Sequence, residues 1–397
     1  MTDKDSTPVP VKNERLKFID MARSIAILLM LQGHFITLTY FDYPKMHSDL
    51  NNLGTSGSIW FDLFDRVRGF TAPLFFTITG LVFVYLLTKP SKTTQKISFF
   101  QLERVRKGIK RAFTILLWAY FIQINLKYTK YYLRGHIPQE LLTFHILQSI
   151  SIGILVLILI YGLHKIIKKG ALMWYYCIAG VIVFYFHPYF FFMPKTSYYP
   201  SFAPEIIQNM FHGPKSQFPI FPSLGFVLFG GMFGSMLHHY QAHFHKKWFP
   251  YATILFAGIL FYFGRYFAKI NDYITNYEFN QRFEKCAWVY GRLAEVVLLL
   301  SVLMIIEKKF KIKENLFLRI GQNTLPIYIL HVIILSGALF GYSIKTYYKH
   351  NLSAAQSIIG AIAFILFFVI FIKYIETINQ LLSKLKNGLK NLVFKTK

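Results

Sequence analysis

Apolar runs of about 20 residues recur along nearly the whole of this 397-residue chain, and that recurrence decides most of what it can fold into. A helix needs about 20 apolar residues to cross the roughly 30 Å hydrocarbon core of a bilayer. Within that core every backbone N–H and C=O must be satisfied by the segment itself, which a helix does. The runs predict an all-α, polytopic integral membrane protein of about ten transmembrane helices. They fall near Phe18–Tyr40, Phe70–Thr88, Gly108–Leu126, Phe144–Leu163, Ala171–Phe192, Phe218–Leu237, Phe249–Phe267, Ala287–Ile306, Leu316–Phe340 and Ala354–Tyr374. The sixth is rich in Pro and Gly and open to a break. Composition agrees, with 54% of residues hydrophobic and 16% charged, where a soluble domain carries about a quarter charged.

No stretch between the runs is long enough for a soluble domain. The expected division is a polar leader at 1–17, one transmembrane domain at 18–375 and a basic tail at 376–397. The first run exceeds the roughly 7–15 residues of a signal-peptide core and lacks a small-x-small cleavage site, so it reads as a retained helix. Cys177 and Cys286 have no metal or redox spacing and read as structural, with no disulfide between them.

The formal charge of +26 suggests nucleic acid until its placement is considered. The N-terminus, the C-terminus and the alternate loops on their side hold 28 of the 44 basic residues, and the opposite loops hold 14. Basic residues gather on the cytoplasmic side of membrane proteins, so both termini are expected in the cytoplasm. The bilayer, with its anionic headgroups, is then the partner of this charge, and nucleic acid is not.

Few polar groups interrupt the runs. Asp20 and Arg23 sit three apart on one face of the first span, at its cytoplasmic end. His34 lies about 24 Å beyond Phe18 at 1.5 Å per residue, in the outer part of the membrane. Such a His either hydrogen-bonds a neighbouring helix or takes a proton from an attacking hydroxyl or amine. Arg66 and Arg68 open the second span, where either could hold an anion or reach to the interface. In the ninth span Asn323 either caps the helix or contacts substrate, and Tyr328 and His331 are polar in an apolar setting. His331 would meet His34 if the first and ninth helices are neighbours. Arg292 and Glu295 read as a structural ion pair, and His239 with His243 as an unsupported metal pair. The loops Phe192–Pro219 and Arg265–Trp288, the latter with Tyr273, Tyr277 and Asn280, either stack on sugars or belong to the interfacial aromatic belt. There is no P-loop, no dinucleotide fingerprint and no serine-hydrolase elbow.

Five blocks in order carry a family resemblance: the first span with Asp20, Arg23 and His34, RGFTAPLFFTITG at Arg68–Gly80, FHILQSISIG at Phe144–Gly153, FPIFPSLGFVLFG at Phe218–Gly230 and IGQNTLPIYILH at Ile320–His331. Together they resemble bacterial relatives of heparan-α-glucosaminide N-acetyltransferase, a branch allied to the acyltransferase-3 proteins. The resemblance implies a bacterial inner-membrane enzyme of the cell envelope. It would move an acyl group, acetyl above all, from cytoplasmic acyl-CoA to an acceptor on the far side, typically a carbohydrate. Acyl-CoA would be a donor substrate, with no tightly bound cofactor and no metal. His34 and His331 would be catalytic, His34 as general base or transient acyl carrier. Asp20, Arg23, Arg68, Asn323 and Tyr328 would bind substrate, and Arg104, Arg106 and Lys107 the CoA phosphates. The lysosomal branch places its catalytic His after the first helix, which makes His47 the alternative, although PKMHSD fits that pattern poorly. A transporter or exporter of an envelope component, using the same intramembrane polar groups, is the competing reading. A membrane scaffold is the third.

Overall fold

The computed structural model describes residues 16–89, 98–136, 138–194, 200–240, 246–271, 282, 284–310, 312–381 and 383–384. Most of the leader, the end of the tail, His243, Tyr273, Tyr277 and Asn280 lie outside them. The described chain is helical: α1 Lys17–Thr39, α2 Tyr43–Leu53, α3 Ile59–Leu87, α4 Glu103–Phe121, α5 Thr129–Leu133, α6 Ile146–Ile167, α7 Leu172–Phe191, α8 Glu205–Phe211, α9 Ile220–His239, α10 Phe249–Asn271, α11 Trp288–Lys309, α12 Leu316–Gln322, α13 Thr324–Ser336, α14 Ile344–Tyr348 and α15 Ala354–Lys373. Successive long helices run in alternate directions, which gives the bundle a near end, at Lys17, and a far end, at Thr39.

Every expected apolar run but the ninth falls on a single helix. Among the described residues seven helices are long and apolar enough to cross a membrane, and the bent pair α12–α13 makes an eighth if counted as one crossing. The apolar part of α10, Phe249–Gly264, is shorter. α4 begins ERVRKGIKR and is charged over its first half. The protein is thus a multi-pass membrane protein.

Two runs differ in shape from expectation. α3 starts at Ile59 rather than Phe70, capped by the Ser58 side chain, so about three extra turns raise Asp65, Arg66 and Arg68 on a rigid helix. The ninth run is not one helix: it breaks at Asn323 and the two pieces meet at 80°. Pro326 has no N–H for the Gln322 carbonyl, and its ring would clash there in a continuous helix. Asn323 adopts non-helical φ −114° and ψ 40°, and its Nδ2 donates to the Arg319 carbonyl at 2.8 Å. α9 keeps its length, with one non-helical residue, Phe221, in its first turn.

At the near end the Glu307 carboxylate of α11 accepts the first N–H groups of α1, from Lys17 at 2.7 Å and Phe18 at 3.0 Å. These are donors that a helix start cannot satisfy internally. In the middle, α3 and α9 touch backbone to backbone. A Cβ on Gly80 would collide with the Val227 carbonyl, and one on Gly230 or Gly234 with the carbonyls of Thr77 or Leu81. Small residues four apart let helices approach this closely where no hydrophobic force drives them together. At the far end three isolated bridges, Tyr40 to Leu352, Asn125 to Leu339 and Phe144 to Ser216, tie the connecting segments to one another.

Gly80→Leu is expected to destabilise the bundle by about 2 kcal/mol or more, measured as a lowered unfolding midpoint in detergent. Gly258→Ala, at a position open on all sides, is expected to leave the midpoint unchanged.

Candidate active site

α1 and α13 are neighbours, and the contact brings His34 and His331 together. Their rings meet edge to face with centroids 5.4 Å apart and planes at 76°. The Tyr328 ring stands 4.9 Å from His331, one turn earlier on α13. His331 is only 1% exposed, and neither ring nitrogen has a hydrogen-bond partner among the described residues. His34 instead faces open space.

That space is a cavity of about 630 Å³ walled by α1, α3 and α13 with the far ends of α4 and α6. Its volume is that of a small-molecule site. The lining reaches toward the near end only as far as Leu29 and Phe75. Leu29 is twelve residues past Lys17, or about 18 Å along α1. In the other direction the lining continues through Asn125, Gln217 and Lys345 to the far end. The cavity therefore opens at the far end, and His34 is reached from there.

Arg68 lines the same wall. Its Nη2 and Nε donate to Asp65 Oδ1 at 3.0 and 3.1 Å, so its position is fixed within α3. Asp65 Oδ1 also accepts from Tyr43 Oη at 3.2 Å and lies 3.3 Å from His47 Nδ1. Burial pushes the Tyr43 phenol up; Arg68 opposes this and Asp65 adds to it. The phenol thus stays a donor to Asp65. Gly33, next to His34, makes room for the arginine: a Cβ there would lie 3.1 Å from Arg68 Cγ. Just outside the cavity Arg292 and Arg66 hold Glu295 at 2.9 and 3.2 Å, and Arg292 packs over Gly69. The expected structural pair is present and extends to α3.

Amide side chains line the upper wall. Gln148 is fully buried and takes the His145 N–H at 3.2 Å. Gln123 donates to the Thr143 carbonyl at 2.8 Å, which leaves its Oε1 buried without a partner. His145 stands just before α6 and bonds Gln217; burial pushes its imidazole down, and that bond partly opposes the shift.

Of the residues singled out by sequence, His34, His331, Arg68 and Tyr328 converge on the cavity. The others do not line it. Asp20 is buried beside Arg23 at 3.7 Å and near Gln322 at 3.5 Å, about 21 Å along α1 from His34. Asn323 is occupied at the helix break. Arg104, Arg106 and Lys107 are exposed at the start of α4, with Lys107 paired to Glu103 at 2.5 Å. His47 stacks on Tyr43 at 5.4 Å and supports Asp65 from outside. Sequence reasoning missed Asp65, whose three-residue spacing from Arg68 was a legible signal. It also missed Gln123, which gave none, and His145 and Gln148, which lie in the block Phe144–Gly153 without being singled out there. No group of three or more His, Cys, Asp or Glu side chains suited to a metal occurs among the described residues.

An acyltransferase-domain family, acyltransferase-3, matches residues 16–375. The chain belongs to the acyltransferase-3 family. No curated protein matches it. The acyltransferase-3 match spans every helix from α1 to α15, so the cavity and both histidines lie inside the matched domain. The protein is a membrane acyltransferase in that general sense.

Because folding holds His145 below its ordinary 6.5, the unfolded chain takes up a proton below pH 6.5 that the folded chain refuses, and stability falls as the pH falls. The unfolding midpoint of the wild type is expected to drop between pH 7.5 and 5.5. His145→Gln is expected to flatten that slope.

Proposed function

We propose that the protein transfers an acyl group, acetyl in the simplest case, from acyl-CoA to a carbohydrate acceptor that enters the cavity at the far end. The meeting of His34, His331, Tyr328 and Arg68 at one outward-opening cavity carries this reading. In the proposed reaction the acceptor hydroxyl or amine attacks the thioester carbonyl. The new C–O or C–N bond forms as the C–S bond breaks, a ring nitrogen of His34 takes the acceptor proton, and the CoA thiolate leaves to be protonated in turn. Arg68, held in place by Asp65, faces the developing oxyanion with its remaining N–H groups. His331, buried against His34 and without partners of its own, sets the orientation of the His34 ring.

The near end is cytoplasmic in this reading, as are both termini, because the basic loops lie there. Arg104, Arg106 and Lys107 at the start of α4 would meet the CoA phosphates. The floor between Leu29 and the near end must then open for the acyl chain to reach His34. The order of the sequence blocks supports kinship with the heparan-α-glucosaminide branch, and with it an acceptor outside a bacterial inner membrane.

Purified protein in nanodiscs is expected to transfer label from radiolabelled acetyl-CoA to a member of a panel of amino and neutral sugars. His34→Ala is expected to lower the rate by about 100-fold or more, and His331→Phe by about tenfold with KM little changed. Undiminished transfer by His34→Ala would remove His34 from the mechanism. Sugar flux across liposomes without any acyl-CoA would favour an exporter.

A further inference from the structure

Two exposed segments at the far end take no part in the chemistry above. Residues 125–134 read NLKYTKYYLR and residues 341–349 read GYSIKTYYK, each interleaving basic and tyrosine side chains. They are separated by about two hundred residues of chain, yet the fold joins them. Leu126 N donates to the Leu339 carbonyl at 2.8 Å and Leu339 N to the Ile124 carbonyl at 3.0 Å. Lys127 Nζ sits 5.1 Å from the centre of the Tyr342 ring. Gly341, at φ +75°, lets the Lys127 stem pass: a Cβ there would lie 3.1 Å from Lys127 Cδ. Tyr132 Oη accepts the Asn125 N–H at 3.0 Å and folds α5 back onto the same rim.

The result is a collar of Lys127, Lys130, Arg134, Lys345 and Lys349, all exposed, and none in an ion pair among the described residues. Between residues 122 and 145 and between 336 and 353 the only acid is Glu140. The α1–α2 corner that bridges to Leu352 adds Asp42 and Lys45, which offset each other. Tyr131, Tyr342 and Tyr347 are each more than half exposed among these charges. The collar is continuous with the cavity, since Asn125, Glu140 and Lys345 line its mouth. Basic residues here run against the overall bias of the chain toward its near end.

We propose that this collar is a binding site for an anionic saccharide, a chain bearing carboxylate or phosphate groups, whose acyl-accepting residue reaches down the cavity to His34. The proposal rests on the acyl-transfer reading for the last clause only. Ammonium and guanidinium groups make charge-assisted hydrogen bonds to oxyanions, and tyrosine faces cover the C–H faces of sugar rings. A neutral sugar would engage only the second feature.

The test is binding without any acyl donor, so it fails or succeeds separately from the transfer reaction. Full-length protein in phosphatidylcholine nanodiscs is titrated with fluorescent tetragalacturonate, a phosphorylated mannose tetramer and maltotetraose. At least one anionic tetramer is expected to bind about tenfold or more tighter than maltotetraose, a gap of about 1.4 kcal/mol, and to weaken as salt rises. The exposed-charge variant Lys130→Gln/Arg134→Gln/Lys345→Gln/Lys349→Gln is expected to lose that preference while keeping its unfolding midpoint. Equal binding of maltotetraose, binding of neither anionic tetramer, or an unchanged preference in the variant would overturn the proposal. Displacement of the bound tetramer on moving to phosphatidylglycerol nanodiscs would assign the collar to lipid headgroups and overturn it as well.

Discussion

Gly321 has no side chain to hold α12 away from α1, and its amide donates to Ser24 Oγ at 2.9 Å while Ser24 Oγ donates to the Asp20 carbonyl at the same distance. A Cβ on Gly321 would collide with that carbonyl. The chain is therefore pinned to α1 two residues before it turns by 80° at Asn323. From that fixed point α13 crosses α1 in the register that sets His331 against His34. A straight ninth helix would carry His331 elsewhere. Asp20, expected to touch substrate, belongs to this anchor through its backbone and its contact with Gln322.

The cost of polar groups inside a membrane explains how the rest is arranged. Arg68 keeps a carboxylate partner, and that carboxylate accepts in turn from the Tyr43 hydroxyl, with His47 Nδ1 3.3 Å away. Arg292, Glu295 and Arg66 form a second closed set beside it. Among the described residues, buried polar atoms without partners occur elsewhere too, on His187 and Tyr290 among others, and those on the cavity lining are both nitrogens of His331, Oε1 of Gln123 and Oγ1 of Thr71. Unpaired polar atoms in a bundle are destabilising, and those that face the open cavity are ones a ligand could complete. Proximity alone would not say which atoms react. The family membership supplies the class of chemistry, and the cavity supplies the direction of approach.

The crossing helices were legible because a bilayer demands long apolar runs and the chain has few other ways to place them. The juxtaposition of His34 and His331 was legible only as a condition, that the first and ninth spans touch, and the structure meets it. The break at Asn323 was not read, although Pro326 lies within Leu316–Phe340: Asn323 reads as a cap or a substrate contact, and the contact that fixes the turn, Gly321 on Ser24, spans nearly three hundred residues. Gln123, His145 and Gln148 escaped for the same reason. Each is an ordinary polar residue next to a helix end until tertiary packing turns it toward the cavity. The length of α3 was missed because its first turns are amphipathic, and charge there signals a membrane boundary rather than the end of a helix.

The central claim is that the histidine pair is reached from the face opposite the termini. Ser336→Cys, on the cavity wall, in a background with Cys177→Ser and Cys286→Ser, tests it by labelling with a charged, membrane-impermeant thiol reagent in sealed vesicles of known sidedness. Labelling from the face opposite a C-terminal tag is the result this account predicts. Labelling only from the face that carries the tag would contradict it.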